Sequence, residues 1–389
     1  MNVVFLSPHF PPSYYLFCVQ LRRLGANVLG LAEEPYDRLR PELKEALTEY
    51  YRVERLEDYD QALRAVGYFT HRYGKIDRIV SHNEHWLELE AYLRQSFNVF
   101  GPKMAATEIV KRKSLMKQKF VVAGLNVAPG RLVDTPEEAQ AFIHEVGYPV
   151  IAKPDKGVGA IGTYKIGHES ELRDFFARKP AVDYFMEAFV DGDIVTFDGL
   201  TEHDGNLVLC MSLRYSRNIM ETVAEDDHIH YYTLRELDDD LVAAGTAAVE
   251  AFGLRESFFH FEFFRVPDGK LVALELNARP PGWPTTDMFN YANDADVYRE
   301  WANVVLDRPP EYAWPRKYHS IYIGRKERIR YTHAHEEVVR HHRDYLIETL
   351  RMPGVFARAM GDYAYIARSP RLEDLRDMAG FAQQKLQAT

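Results

Sequence analysis

From His260 to Asn277 the chain reads HFEFFRVPDGKLVALELN. Two runs of alternating character flank Asp268-Gly269, a strong two-residue hairpin signal. With those two residues as the turn, Pro267 faces Lys270, Glu262 stands opposite Glu275, and His260 stands opposite Asn277. Side chains alternate faces along a strand, so these last four share one face. Phe259, Phe261 and Phe263, with Val272, Leu274 and Leu276, form the other, a core face. Two carboxylates opposed across a sheet repel by roughly 0.2–1 kcal/mol, and by more when partly desolvated. A cation or a shared proton must compensate. Two Glu oxygens and an Asn carbonyl are hard donors of the kind Mg²⁺ accepts, with water and phosphate oxygens completing its shell. A solvated polar sheet face with Glu-to-Lys pairing is the plain alternative, and a three-residue loop would shift the pairing by one.

A second stretch, IAKPDKGVGAIGTYKI (Ile151 to Ile166), carries Gly157, Gly159 and Gly162 in G-x-G-x-x-G spacing. A dinucleotide fingerprint needs a helix directly after the glycines. Here the β-branched and aromatic TYKI follows, and the next helix is expected only near Glu169. A P-loop needs Lys and Ser/Thr where Thr163 and Tyr164 stand. A kinase needs D-F-G, which is absent, and the HRD at His342–Asp344 has no Asn at the required spacing. What remains is a strand ending in Lys153 and a glycine hairpin opened by Lys156. Backbone N–H groups of such a flap can fold over phosphates, and a Lys supplies a point charge for them. Taken alone, the loop reads equally well as a surface hairpin with solvated lysines.

The first hundred residues alternate strands and helices. NVVFLS, NVLGLA and DRIVSH read as strands, with one helix capped by Ser13, running to about Leu24 and closed by Gly25, and another at WLELEAYLRQ. This βαβ pattern predicts a small parallel sheet. The loop after the first strand, SPHFPPS, contains no glycine and makes a poor phosphate cradle. Beyond it the pattern predicts a basic helix from about Thr107 to Ala123, strands at GYPVIAKP, TYKIG and DYFMEAF, and two strands around Asp204-Gly205. A helix near Asp239–Phe252 precedes the hairpin. After Pro309 come a strand near Ser320, a charged helix from about Glu336 to Leu350, the strand YAYIARS and a last helix at EDLRDMAGFAQQKL.

With 389 residues, 46% of them hydrophobic, the chain can build two or three domains without disulfides or a structural metal. Cys18 and Cys210 read as buried thiols in a reducing compartment. A net charge of −10 argues against a nucleic-acid groove. The N-terminus lacks the charged region of a signal peptide, and no apolar run reaches the ~18–20 residues of a membrane helix. A cytoplasmic protein with no membrane or nucleic-acid partner is the expectation.

Taken together, these stretches resemble the ATP-grasp superfamily, and within it the carboxylate–amine ligases. The likeness covers about residues 105 to 290 well and the N-terminal part more loosely. KSLMKQKFVVAGLNVAPG is similar to the family's first lysine segment and implies that Lys113 contacts nucleotide. GYPVIAKPDKGVGAIG is similar to its second lysine strand and glycine flap, implying Lys153 on the phosphates with Lys156, Gly157, Gly159 and Gly162 around them. FMEAFVDGD resembles the hinge, where Glu187, Ala188, Phe189 and Val190 would hold adenine. HFEFF and ELNARPPG resemble the metal-binding pair E…E-x-N-x-R, implying Glu262, Glu275 and Asn277 on Mg²⁺ (or Mn²⁺) and Arg279, with Lys153, on the transferring phosphoryl group. Ile194 stands where many members carry a ribose-binding Glu, which leaves Asp193 beside it as the candidate.

The fold so implied is α/β, with α+β character in the ATP-grasp part. A Rossmann-like domain spans residues 1–105, an ATP-grasp domain 106–308 (lid-bearing 106–190, metal-binding 191–308), and a small C-terminal α/β module 309–389. The implied reaction activates a small carboxylate as an acyl phosphate at the expense of ATP and joins it to an amine, releasing ADP and phosphate. The partners are then a small-molecule carboxylate and an amine, and a homodimer stays open. Two alternatives remain: a biotin-carboxylase-like enzyme activating bicarbonate, and a non-catalytic nucleotide-binding protein of this fold. Among weaker signals, His82 and His85 read as polar pocket or surface ahead of a zinc site. Arg214 and Arg217 could hold a carboxylate or serve as surface ion pairs, and Glu225–Tyr232 is a substrate loop or a solvated one.

Overall fold

The computed structural model describes residues 1–157, 162–217, 222 and 225–386. The N-terminal strands β1 (Asn2–Leu6), β2 (Asn27–Ala32), β3 (Glu49–Arg52) and β4 (Arg78–Val80) form a parallel sheet in the order β3-β2-β1-β4. The apolar runs of β1 and β2 are buried on both faces, as a parallel sheet requires. The helix Tyr15–Arg23 forms where expected, with Gly25 at a left-handed φ of +89° just beyond it. Ser13 does not cap it. Its hydroxyl accepts a 2.8 Å bond from Tyr298 across the molecule instead.

A second sheet, in the order β5-β8-β6-β7, contains β5 (Gly130–Val133), β6 (Val150–Pro154), β7 (Tyr164–Ile166) and β8 (Tyr184–Ala188). β6 and β7 pair antiparallel, so the glycine stretch connects strand to strand, and the next helix begins at Glu169. The predicted single basic helix is two helices, Met104–Lys111 and Lys113–Val122. The break falls at Arg112, which adopts extended geometry (φ −100°, ψ 119°) and bridges Lys156. Asp155, fully buried just after β6, causes it. Its carbonyl accepts from Lys113 N at 2.9 Å and its Oδ1 from Ser114 N at 2.8 Å, capping the second helix from a distant strand. Its Oδ2 also accepts from Arg112 Nη1 at 3.1 Å.

The third sheet has nine strands. β9 (Asp193–Thr201), β10 (Leu207–Met211), β11 (Leu213–Tyr215), β12 (His230–Thr233), β13 (Phe258–Arg265), β14 (Leu271–Asn277), β15 (His319–Arg325), β16 (Leu346–Arg351) and β17 (Tyr363–Ser369) run in the order β14-β13-β9-β11-β12-β15-β17-β16, with β10 on β9. The strands after Pro309 therefore extend the sheet that carries the carboxylate hairpin. The expected helix Glu336–Leu350 ends at His341, and its second half is β16. In LIETLR burial alternates residue by residue, a period of two that tertiary pairing with β17 enforces over the local charge pattern.

Met116 and Phe120 of helix Lys113–Val122, and helix Asp239–Phe252, close the core face of this sheet over Phe197, Phe259, Phe261 and Phe263. Each such ring removed from water contributes about 1.5–3 kcal/mol. Helix and sheet touch most closely at Gly245, where a Cβ would lie 2.1 Å from Phe197 Cδ1. Gly245→Ala gains about 1 kcal/mol of helix propensity, yet overpacking a rigid core typically costs about 1–3 kcal/mol. Denaturant titration is expected to show a net loss of stability.

Candidate active site

Glu262 pairs with Glu275 and His260 with Asn277, as the hairpin pattern predicts, but by a different route. The connection is a three-residue loop, Pro267-Asp268-Gly269. Val266 N bonds to Lys270 O at 3.0 Å, and Gly269 sits at φ +85°. Pro267 does not face Lys270, and near the loop Arg265 is opposite Leu271 and Phe263 opposite Ala273. A β-bulge at Leu274 restores the register before the carboxylates. The bulge also reassigns the faces. Ala273 and Leu276 enter the core, while Val272 and Leu274, expected there, line a cavity instead.

That cavity lies between the second and third sheets. Lys153 of β6 and Glu187 of β8 stand on one side and Glu262 and Glu275 on the other, with Lys113, Asn277 and Arg279 on its wall. Ala188, Phe189 and Val190 form one end, against Ile194, Phe264, Val272 and Leu274. These residues make an apolar slot suited to a flat heterocycle. The other end is lined by Tyr215, Tyr231, Thr285 and Met360.

The charges are mutually arranged. Lys153 Nζ is 2.6 Å from Glu187 Oε1, and Lys117 Nζ is 2.5 Å from Oε2. Lys117 also donates to Ala128 O at 2.9 Å. Burial pushes the Glu187 carboxyl up, but the two ammonium groups outweigh it and hold it at about 2. Burial wins at Lys117, whose pKa is lowered, whereas Lys153 is raised because Glu187, Glu275 and Glu262 all face it. Lys153 is thus the firmly charged partner.

Burial likewise raises both opposed carboxyls. At Glu262 the His260 contact, with Arg279 and Lys153, more than offsets it, so Glu262 falls below the usual range. At Glu275 the help from Lys113 and Lys153 does not suffice against burial, Glu262 and Glu84, so it stays above. Lys113 Nζ lies 3.4 Å from Glu275 Oε1. Arg279 Nη2 lies 3.4 Å from Asn277 Oδ1 and 3.1 Å from Glu84 Oε2. Cations therefore occupy the rim of the carboxylate pair, and the Asn277 oxygen faces them. Two carboxylates and an amide oxygen are a donor set that fits a hard divalent cation.

Several expected residues lie elsewhere. Lys156 does not line the cavity. It is held by Glu88 and by Glu108, the latter at 3.0 Å. Asp193 is exposed on the opposite face of β9 from Ile194, because neighbours on a strand alternate. Gly157 accepts a 3.3 Å bond from Lys113 Nζ, Gly162 has φ +73°, and Gly159 lies outside the described residues. His82 lines a second cavity, in keeping with the pocket reading, and packs among aromatic rings. It has φ +58°, and its ring centroid is 4.3 Å from that of Phe17 and 4.5 Å from that of Trp301. Burial pushes its pKa down to about 3. His85 is exposed, 3.5 Å from Glu57. Among the described residues no group of three or more His, Cys, Asp or Glu that could hold a metal is found. Arg214 is 3.9 Å from Asp238, and Arg217 pairs with Glu225 and Asp227, as surface ion pairs do.

Lys117, Glu84, Asp155 and Asp198 contact the expected site residues or the elements that carry them, and the sequence did not single them out. Spacing offered a signal only for Lys117, four residues after Lys113 on one helix face. The other three meet residues distant in sequence: Glu84 meets Arg279, Asp155 the helix start at Lys113, and Asp198 His260 on the neighbouring strand.

Residues 146–287 match the ATP-grasp domain family. The chain is 22% identical over 248 residues to the L-arginine-specific L-amino acid ligase of Bacillus subtilis, covering 61% of this chain and 59% of that protein. It is 36% identical over 204 residues to a pyruvate carboxylase subunit of Methanothermobacter thermautotrophicus, covering 48% of this chain and 40% of that one. The chain thus spans less than two thirds of the length of these curated relatives. The crystal structure of L-amino acid ligase from Bacillus licheniformis superposes with a TM-score of 0.72 at 17% identity, covering 97% of this chain and 95% of that one. The ADP complex of N5-carboxyaminoimidazole ribonucleotide synthetase gives 0.71 at 14% identity, covering 98% and 97%. The α/β fold is therefore shared over nearly the whole chain.

The Glu187 brace has a measurable consequence. Its carboxyl titrates at about 2 when folded against an ordinary 4.5. The stabilisation is complete above about pH 4.5 and is lost as pH falls through the folded value. Glu187→Gln leaves Lys153 charged without its partner and is expected to cost about 3–5 kcal/mol at neutral pH. Denaturant titrations at several pH values should show the gap between wild type and variant closing below pH 4.5.

Proposed function

We propose that this chain is an ATP- and Mg²⁺-dependent ligase that activates a small carboxylate as an acyl phosphate and joins it to an amine, releasing ADP and phosphate. The observation that carries the reading is a single cavity with two opposed carboxylates, Glu262 and Glu275, and a buried, charged Lys153 across from them. In this reading the apolar end, at Ala188–Val190 with Phe264 and Val272, takes adenine. Lys153, Lys113 and the flap around Gly157, Gly159 and Gly162 meet the phosphates. Glu262, Glu275 and Asn277 would hold Mg²⁺, which neutralises phosphate charge as the phosphoryl group moves.

Arg279 stands next to this set and is the residue for the transferred phosphoryl group, where a fixed guanidinium stabilises spreading charge. The substrate carboxylate attacks the γ-phosphorus and ADP leaves. The amine then adds to the acyl carbon, and phosphate departs with the activated oxygen. The chain's share is alignment, charge and exclusion of water, and no protein nucleophile is required. Lys156, tied to Glu88 and Glu108, and the outward Asp193 have no part in this scheme.

The names of the relatives support an amino acid as the carboxylate: one is an L-arginine-specific L-amino acid ligase and another a D-alanine–D-alanine ligase. The 36% identity to part of a pyruvate carboxylase favours bicarbonate activation as a second reading. One assay separates them. ADP release with ATP and Mg²⁺ is followed against panels of amino acids paired with amines, and against bicarbonate alone. Stimulation by a carboxylate–amine pair, abolished in Lys153→Ala, is the expected result. Stimulation by bicarbonate alone selects the second reading, and AMP as product contradicts both.

A further inference from the structure

Glu262 does not stand alone on its face of the sheet. Antiparallel pairing of β13 with β9 sets His260 opposite Asp198 and Glu262 opposite Thr196. Pairing with β14 on the other side adds Glu275 and Asn277. The alternation of strand side chains turns all six toward the cavity side. Thr196 and Asp198 are fully buried and His260 is 5% exposed.

Their hydrogen bonds form one chain. Leu213 N donates to Thr196 Oγ1 at 2.9 Å, and the Thr196 hydroxyl donates to Asp198 Oδ2. His260 Nδ1 bonds to Asp198 Oδ1, and His260 Nε2 reaches Glu262 Oε1 at 3.1 Å. With a carboxylate at each ring nitrogen, both nitrogens act as donors. The imidazole is fixed in tilt and direction by Asp198, and Asp198 in turn by a hydroxyl anchored on the backbone of β11. None of these residues belongs to the set expected to touch nucleotide or metal, apart from Glu262 at the end of the chain.

We propose that Asp198 and His260 are positioning residues that fix the Glu262 carboxylate for a divalent cation. The inference rests on the metal-site reading of Glu262 and Glu275 given above. The physical reason is economy of motion. A Glu side chain has three rotatable bonds, and beside a like charge on Glu275 it would rotate away. A donor at one oxygen holds the group in place and leaves the second oxygen for the cation. Partners of this kind commonly change metal affinity ten- to a hundredfold when removed.

The test is Mn²⁺ binding to the nucleotide-free protein and to the protein with ADP, read from the free Mn²⁺ signal in electron paramagnetic resonance. ADP binding without metal is measured in parallel. His260→Gln is expected to weaken Mn²⁺ binding about tenfold while metal-free ADP binding stays within about twofold of wild type. Asp198→Asn, which alters the partner of Nδ1 and the acceptor of the Thr196 hydroxyl, is expected to move the same constant in the same direction. Glu262→Gln serves as the reference. If it leaves Mn²⁺ affinity unchanged, the metal-site reading itself fails. If it weakens Mn²⁺ binding and His260→Gln does not, the positioning role alone is overturned. Should His260→Gln fail to fold, the near-isosteric Thr196→Val carries the test. It is expected to weaken Mn²⁺ binding severalfold, and unchanged affinity in a folded variant overturns the proposal.

Discussion

The opposition of Glu262 and Glu275 is the constraint around which the rest of the site is organised. Two partly buried carboxylates paired directly across a sheet repel one another, and in a medium drier than water that repulsion is stronger. The fold answers with cations drawn from separate elements. Lys113 comes from a helix, Lys153 from the second sheet, Arg279 from the segment after the hairpin, and His260 from the same strand as Glu262. No two of the four share a secondary-structure element. Their arrival at one place requires the lid sheet, the helix start at Lys113 and the nine-stranded sheet to be held in register together.

Asp155 is the joint that does much of this holding. It follows Lys153 by two residues and caps the helix that begins at Lys113. The two lysines are therefore coupled through one buried carboxylate, although they lie far apart in the sequence. On the far side, Glu187 locks Lys153 and Lys117 into the mouth of the hinge. Removing Glu187 would take away the carboxylate that Lys117 and Lys153 share, a costly loss in a protein interior, and removing Asp155 would leave the start of the second helix without its cap.

Much of this was legible in the sequence where local rules act alone. The strand after the glycines excluded a dinucleotide loop, and β6 and β7 pair as that reading requires. The helix Asp239–Phe252 falls on its expected bounds. The Glu262–Glu275 pair is correct, but through two compensating departures: the turn is one residue longer than expected, and a bulge at Leu274 returns the register. A bulge leaves no mark in a run such as KLVALELN, so the faces of Val272 and Leu274 could not be read. The break at Arg112 and the strand Leu346–Arg351 were hidden for a related reason. Each is imposed by a partner distant in sequence, Asp155 in one case and β17 in the other. The outward turn of Asp193 and the capture of Lys156 by Glu88 and Glu108 are likewise matters of tertiary position.

Formation of an acyl phosphate in the cavity beside Glu262 and Glu275 is the central step of the proposed reaction, and oxygen isotope transfer reads it directly. A carboxylate substrate labelled with ¹⁸O in both oxygens is turned over with ATP, Mg²⁺ and the amine, and the phosphate released is analysed by mass spectrometry. One ¹⁸O atom in each inorganic phosphate formed, with ADP as the other product, is the predicted result. Unlabelled phosphate, or label recovered in AMP, would contradict it.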